Sequence, residues 1–132
     1  MGGRGGASGF QSKQSRNFPN LTGSEKQIKW AEDIRNGLID SIDAAIKSNR
    51  DYLKRFPNDF ESRVKLDLFS DAKTGFLNQL NNIESAKEII DKRNIYNPQR
   101  VVDLINGRGK DMSRQKSNGW IYDKKNRKMV KP

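Results

Sequence analysis

The densest chemistry in this sequence lies near its end, where Arg108, Lys110, Arg114, Lys116, Lys124, Lys125, Arg127 and Lys128 are interleaved with Trp120 and Tyr122. Cations at such density engage phosphates, because each contact releases condensed counterions and needs no shaped pocket. The two aromatics add rings able to stack on an unpaired base or to pack into a ribonucleoprotein groove. The bland alternative is a solvated tail whose Trp120 folds back onto the body. These ten residues form the candidate nucleic-acid-binding set, and Lys131 adds a further cation beyond them.

Catalytic resources are few. The chain has no histidine and no cysteine, which removes imidazole acid–base work, thiolate chemistry, disulfides and the common zinc sites. Carboxylates are what is left, grouped as Glu32/Asp33, Asp40/Asp43 and Glu84/Glu88/Asp91. A two-metal nuclease would need several of them converging away from cations. Most instead sit near Lys or Arg at helical spacing, as in Asp43/Lys47, Asp51/Arg55 and Glu88/Lys92, the pattern of i,i+4 pairs on solvated faces. No catalytic residue, metal or cofactor is expected.

Charge is partitioned along the chain. The net charge is +10, yet residues 21–106 hold 14 Lys or Arg against 14 Asp or Glu. The excess belongs to the ends: Arg4, Lys13 and Arg16 without an acid in residues 1–20, and nine cations against Asp111 and Asp123 in residues 107–132. Arg4 in the Gly-rich start has the look of an Arg-Gly-Gly fragment, but an ordinary disordered leader is the favoured reading. The partition divides the chain into three regions: a disordered basic arm at 1–20, a helical body at 21–106 and a basic aromatic tail at 107–132.

The elements that must position these residues are helical. Leu21 to Gln27 offers two overlapping capping boxes, Thr22 with Glu25 and Ser24 with Gln27. Ile28, Ala31, Ile34, Leu38, Ile42, Ala45 and Ile46 then recur at 3.6-residue spacing and predict a long amphipathic helix over 24–54. Pro57 stops it and Asp59 caps the next helix. Phe60, Val64 and Leu68 drift around that second helix before another stripe starts at Phe69, which predicts a bend near Ser70 and Asp71. A shorter helix is expected at 83–93, led by Asn81 or Asn82. Asn97 and Pro98 open another with Val101, Val102, Leu104 and Ile105, expected to end at Gly107. The fold class is therefore all-α, a small irregular bundle of four or five helices, with a short β-hairpin near 119–130 around the turn at 123–126.

Arg35 falls inside the first apolar stripe and must snorkel, meet a carboxylate or contact a partner; the balance favours snorkelling. Trp30, at the stripe's edge, is expected at the rim of the core. No segment has the roughly 18 apolar residues of a membrane span, so a cytoplasmic protein is expected, as monomer or homodimer.

The run Thr22-Gly23-Ser24-Glu25-Lys26-Gln27-Ile28-Lys29-Trp30-Ala31-Glu32-Asp33-Ile34-Arg35 resembles a helix recurring in small proteins of phages, plasmids and other bacterial mobile elements. Ile83 to Asn94 resembles a second element often found downstream of it, usually with bulkier aromatics where this chain has Glu88 and Ile89. The Met1-Gly2-Gly3-Arg4-Gly5 start is similar to phage-encoded ones. The resemblance implies a phage or mobile-element accessory protein acting in a host cytoplasm. In that setting small basic proteins serve in replication, packaging, the virion or the inhibition of host defence, anti-CRISPR proteins among them. Its partner would be nucleic acid or a nucleoprotein such as a CRISPR effector; a virion or head-assembly role is the alternative, and a carboxylate-dependent nuclease a more distant one.

Overall fold

The first helix begins at Ser24 because both halves of a capping box close there: Gln27 N–H donates to Ser24 Oγ at 3.2 Å and Ser24 N–H to Gln27 Oε1 at 3.1 Å. Thr22, the other cap candidate, serves elsewhere. Its N–H donates to Glu84 O at 2.8 Å and its carbonyl accepts from Ala86 N at 3.0 Å, joining the chain before the first helix to the chain before the third. Gly23 makes this junction possible. Its φ is +140°, and a Cβ there would lie 2.9 Å from Gln27 Oε1 and 3.3 Å from the Ala86 Cβ.

The computed structural model describes residues 16–132. It comprises α1 (Glu25–Arg55), α2 (Phe60–Leu80), α3 (Ala86–Asp91), α4 (Pro98–Ser117) and an antiparallel hairpin of β1 (Ile121–Asp123) and β2 (Lys128–Val130). α1 packs on α2 and α3, and α4 runs along α2. The expectation of a helical bundle with a short C-terminal hairpin holds.

Two apolar clusters organise these elements. The larger gathers Leu38, Ile39 and Ile42 of α1, Phe69, Leu77 and Leu80 of α2, and Ile89 of α3 with Tyr96 behind it. The smaller joins Val64 of α2, Met112 of α4 and Met129 of β2, with Phe60, Leu68, Trp120 and Tyr122 packed around them. This division explains why the bend expected at Ser70 and Asp71 is absent. α2 is one unbroken helix whose first half faces the small cluster and whose second half faces the large one, so its apolar stripe changes side without a break in the backbone.

Three further expectations are corrected. α3 starts at Ser85, whose Oγ accepts from Glu88 N at 3.3 Å, and spans only Ala86–Asp91. α4 opens at Asn97 and Pro98 as expected, but it does not end at Gly107. It continues because Met112, beyond that glycine, is buried in the small cluster, and because Gly109 lets α4 approach α2: a Cβ there would fall 2.6 Å from Lys65 Cγ. The glycine that terminates α4 is Gly119, at φ +92°, with its N–H on Lys116 O at 2.9 Å. Residues 107–117 are thus a helix packed on the body, where a tail was expected.

The expected N-terminal arm is also divided. Residues 1–15, with Arg4 and Lys13, lie outside the described residues. Residues 16–20 are laid along α1, where Phe18 packs on the large cluster beside buried Leu21. They also cover Arg35, which is 5% exposed and so does not snorkel. Its Nη1 donates to Pro19 O at 3.1 Å and its guanidinium stacks 4.6 Å from the Phe18 ring centroid. Burial pushes the Arg35 pKa below its ordinary value, with Glu32 opposing the shift.

Candidate nucleic-acid interface

The hairpin is built by one side chain at its turn and two beneath it. Asp123 accepts from Lys125 N at 3.0 Å, Asn126 N at 3.3 Å and Asn126 Nδ2 at 2.7 Å, so the carboxylate holds the turn closed and its pKa drops. Tyr122 faces the body and donates its hydroxyl to Asp67 Oδ2 at 2.6 Å, while its ring meets Phe60 edge-on at 6.0 Å. Burial and the adjacent Asp67 carboxylate raise the Tyr122 pKa well above the ordinary phenol value. Met129, opposite Tyr122 in the register, fills the small cluster. A two-stranded hairpin alone is marginal in water; here α2 and α4 supply the missing apolar face.

On this scaffold the ten candidate residues separate. Lys110, Lys124, Lys125 and Lys128 are exposed and make no ion pair among the described residues. Lys116 is exposed too, its Nζ 4.2 Å from the Phe60 ring centroid. Arg114 lies 3.6 Å from Asp111 across a turn of α4. Arg108 lines a concavity of 630 Å³ between α2 and α4, together with Asp71, Asp103 and Asp111. Arg127, at φ 53°, reaches back to the body with Nε 3.5 Å from both Asp67 Oδ2 and Asp71 Oδ1, near enough to feel both charges but without hydrogen-bond alignment.

Trp120 and Tyr122 pack around the small cluster. Trp120 is half-buried with Lys131 Nζ 5.5 Å from its ring centroid, and Tyr122 is held by Asp67. Both rings therefore brace the hairpin, and the structure places Trp120 back on the body. The lysines they support remain in solvent.

Carboxylates are engaged one by one. Asp43, expected to pair with Lys47, instead takes Lys73 Nζ at 2.7 Å, while Lys47 goes to Asp51 at 2.7 Å. Arg16 bridges Asp40 and Asp43. Glu88 and Lys92 pair at 3.0 Å as expected, and Lys87 and Asp91 at 2.7 Å. Among the described residues no three carboxylates are grouped as metal ligands. Sequence spacing did not reveal the Asp43–Lys73 contact, because Lys73 is 6% exposed on another helix and only the α1–α2 packing brings the two together.

Trp30 is 48% exposed, further out than a core rim, with the Arg93 guanidinium 5.5 Å from its ring centroid. Among the described residues no helix is long and apolar enough to cross a membrane. No protein-family model, curated protein or solved structure matches this chain.

Proposed function

We propose that this protein is a non-catalytic binder of nucleic acid or of a nucleoprotein, acting by occupancy through the hairpin end of the bundle. One observation carries the reading: Lys124, Lys125 and Lys128 stand exposed on a braced hairpin and make no ion pair among the described residues, although Lys128 faces Asp123 across the ladder. Fixed ammonium groups of this kind suit a phosphate backbone, whose recognition needs charge and position more than a pocket. Lys110 and Lys116 on α4 extend the same positive end. The pairing of Asp40, Asp43, Asp51, Glu88 and Asp91 with cations speaks for ordinary surface and scaffold roles of the carboxylates.

The resemblance of residues 22–35 and 83–94 to small phage and mobile-element proteins supplies the setting for this proposal. In it, the polyanion is a host-defence nucleoprotein such as a CRISPR effector. The test is a salt titration of DNA and RNA binding by the full chain and by Lys124→Ala/Lys125→Ala/Lys128→Ala. Loss of three phosphate contacts should lower the slope of log K against log salt by about 2–3, with the helical circular dichroism unchanged. An unaltered slope and affinity would remove the hairpin from the interface.

A further inference from the structure

The corner where α1 meets α2 carries an aromatic pair that the hairpin reading does not use. Tyr52 and Phe56, one turn apart at the end of α1, lie with ring centroids 4.7 Å apart and planes tilted by 36°. They are 44% and 50% exposed. Covering rings left this open would remove apolar surface from water, which is favourable.

Their surroundings are cationic. Residues 47–63 hold Lys47, Arg50, Lys54, Arg55 and Arg63 against Asp51, Asp59 and Glu61, and all three acids are engaged. Asp51 takes Lys47 at 2.7 Å and lies 3.8 Å from Lys54. Asp59 caps α2 by accepting from Ser62 N at 2.9 Å, and Glu61 holds Lys65 at 2.6 Å. Arg55 is exposed with no ion pair among the described residues. Tyr52 also borders Asp59, Glu61 and Lys65, but those acids are taken up by the α2 cap and by Lys65, which leaves Arg55 as an exposed cation of the corner able to meet a phosphate.

The corner also adjoins the hairpin. Phe60, the first residue of α2, touches Tyr122 of β1 edge-on and lies under Lys116 at the end of α4. α1 ends, α2 begins and α4 ends at one pole of the bundle, and the hairpin turn lies further along α2, where Arg127 approaches Asp67 and Asp71.

We propose that Tyr52 and Phe56 form a base-stacking platform for single-stranded nucleic acid, with Arg55 and Lys54 beside it to meet the backbone. The class of ligand rests on the function proposed above; the platform and its preference for unpaired strands are additional. Stacking on an aromatic side chain is sequence-tolerant and needs bases free of a duplex, whereas lysines on the hairpin serve either form.

The experiment measures binding of a fluorescently labelled oligothymidine, and of a duplex of equal length, by the full chain, by Tyr52→Leu/Phe56→Leu and by the hairpin triple variant. Leucine keeps apolar bulk at half-exposed positions, and Tyr52→Phe/Phe56→Tyr keeps the rings. The leucine pair should lose roughly 5- to 150-fold affinity for oligothymidine while its duplex affinity and salt slope stay as in the parent; the ring-retaining pair should bind as the parent does. If the leucine pair binds oligothymidine like the parent while the triple variant does not, the platform is overturned and the hairpin interface stands. Equal losses on both ligands also overturn it, since stacking would spare the duplex. A parent chain that binds neither ligand overturns the proposed function, and the platform with it.

Discussion

Two cationic segments flank the helices of this protein, and they end in opposite electrostatic states. At the N-terminal side Arg16 is bound to Asp40 and Asp43, and Asp43 also neutralises the buried Lys73. At the C-terminal side Arg127 is drawn to Asp67 and Asp71, but Lys124, Lys125 and Lys128 of the same hairpin make no ion pair among the described residues, Lys128 only facing Asp123 across the ladder. The sign of the net charge does not distinguish them, since both are positive. What differs is the helix face each lies upon: α1 offers two acids to the strap, whereas the hairpin meets α2's acids with only one of its basic residues.

The comparison breaks most readily at Asp43. Asp43→Ala leaves Lys73, a residue 6% exposed, without its counter-charge, and should cost about 3 kcal/mol in urea denaturation. Asp43→Ala/Lys73→Met should recover most of it, because an apolar side chain fits a buried site that an unpaired ammonium does not. A loss below about 1 kcal/mol would show that the strap side is not a charge-neutralised scaffold.

On the hairpin side, Tyr122→Phe removes the bond to Asp67 and should cost about 1–2 kcal/mol, with the hairpin loosening before the helices melt. The same residue gives a pH test. Its folded pKa lies above the unfolded phenol value of about 10, so its contribution is complete below pH about 10 and falls as pH rises and the unfolded chain ionises first. Tyr96, also raised by burial, adds to that alkaline decline. Tyr122→Phe should flatten the fall in thermal midpoint across this range, and an unchanged profile would mean that the phenol is free to ionise in the native hairpin.

The smallest expected effect bears most directly on the contrast. Arg16 and its acids are partly exposed, so Arg16→Ala should cost no more than about 0.5–1 kcal/mol. It should also leave nucleic-acid affinity within about twofold at matched salt, while the hairpin triple variant loses it. An equal loss from Arg16→Ala would erase the difference between the two segments.

Much of the fold was legible in the residues because it depends on local rules. Ser24 with Gln27, Asp59, and Asn97 with Pro98 mark three helix starts through caps that act within a turn. Asp123 and Asn126 mark the hairpin turn by the same short-range bonding. Legibility failed wherever a residue's role depends on another element. Gly107 looked like a helix end because Met112's burial partners, Val64 and Met129, are remote in sequence. Phe60, Val64 and Leu68 looked like a drifting stripe because one helix serves two clusters. Of the candidate interface, the identity of the cations was plain; which of them Asp67, Asp71 and Asp111 engage was not. The exposure of Tyr52 and Phe56 at the same pole was hidden for the same reason, since it is set by how α1 and α2 meet.

By itself the sequence determined the helical elements, the turn, the absence of histidine and cysteine chemistry, and the excess of positive charge toward the two ends. Spacing along a chain is sufficient for these, since caps, amphipathic periods and composition need no distant partner. Only the tertiary structure decided that residues 107–117 are helix, that Arg35 lies under Phe18 and Pro19, and that Lys124, Lys125 and Lys128 make no ion pair among the described residues while Arg16 and Lys73 do. Each of those outcomes turns on which carboxylate or apolar face another helix brings within a few ångströms, where Coulomb attraction and burial become strong enough to choose.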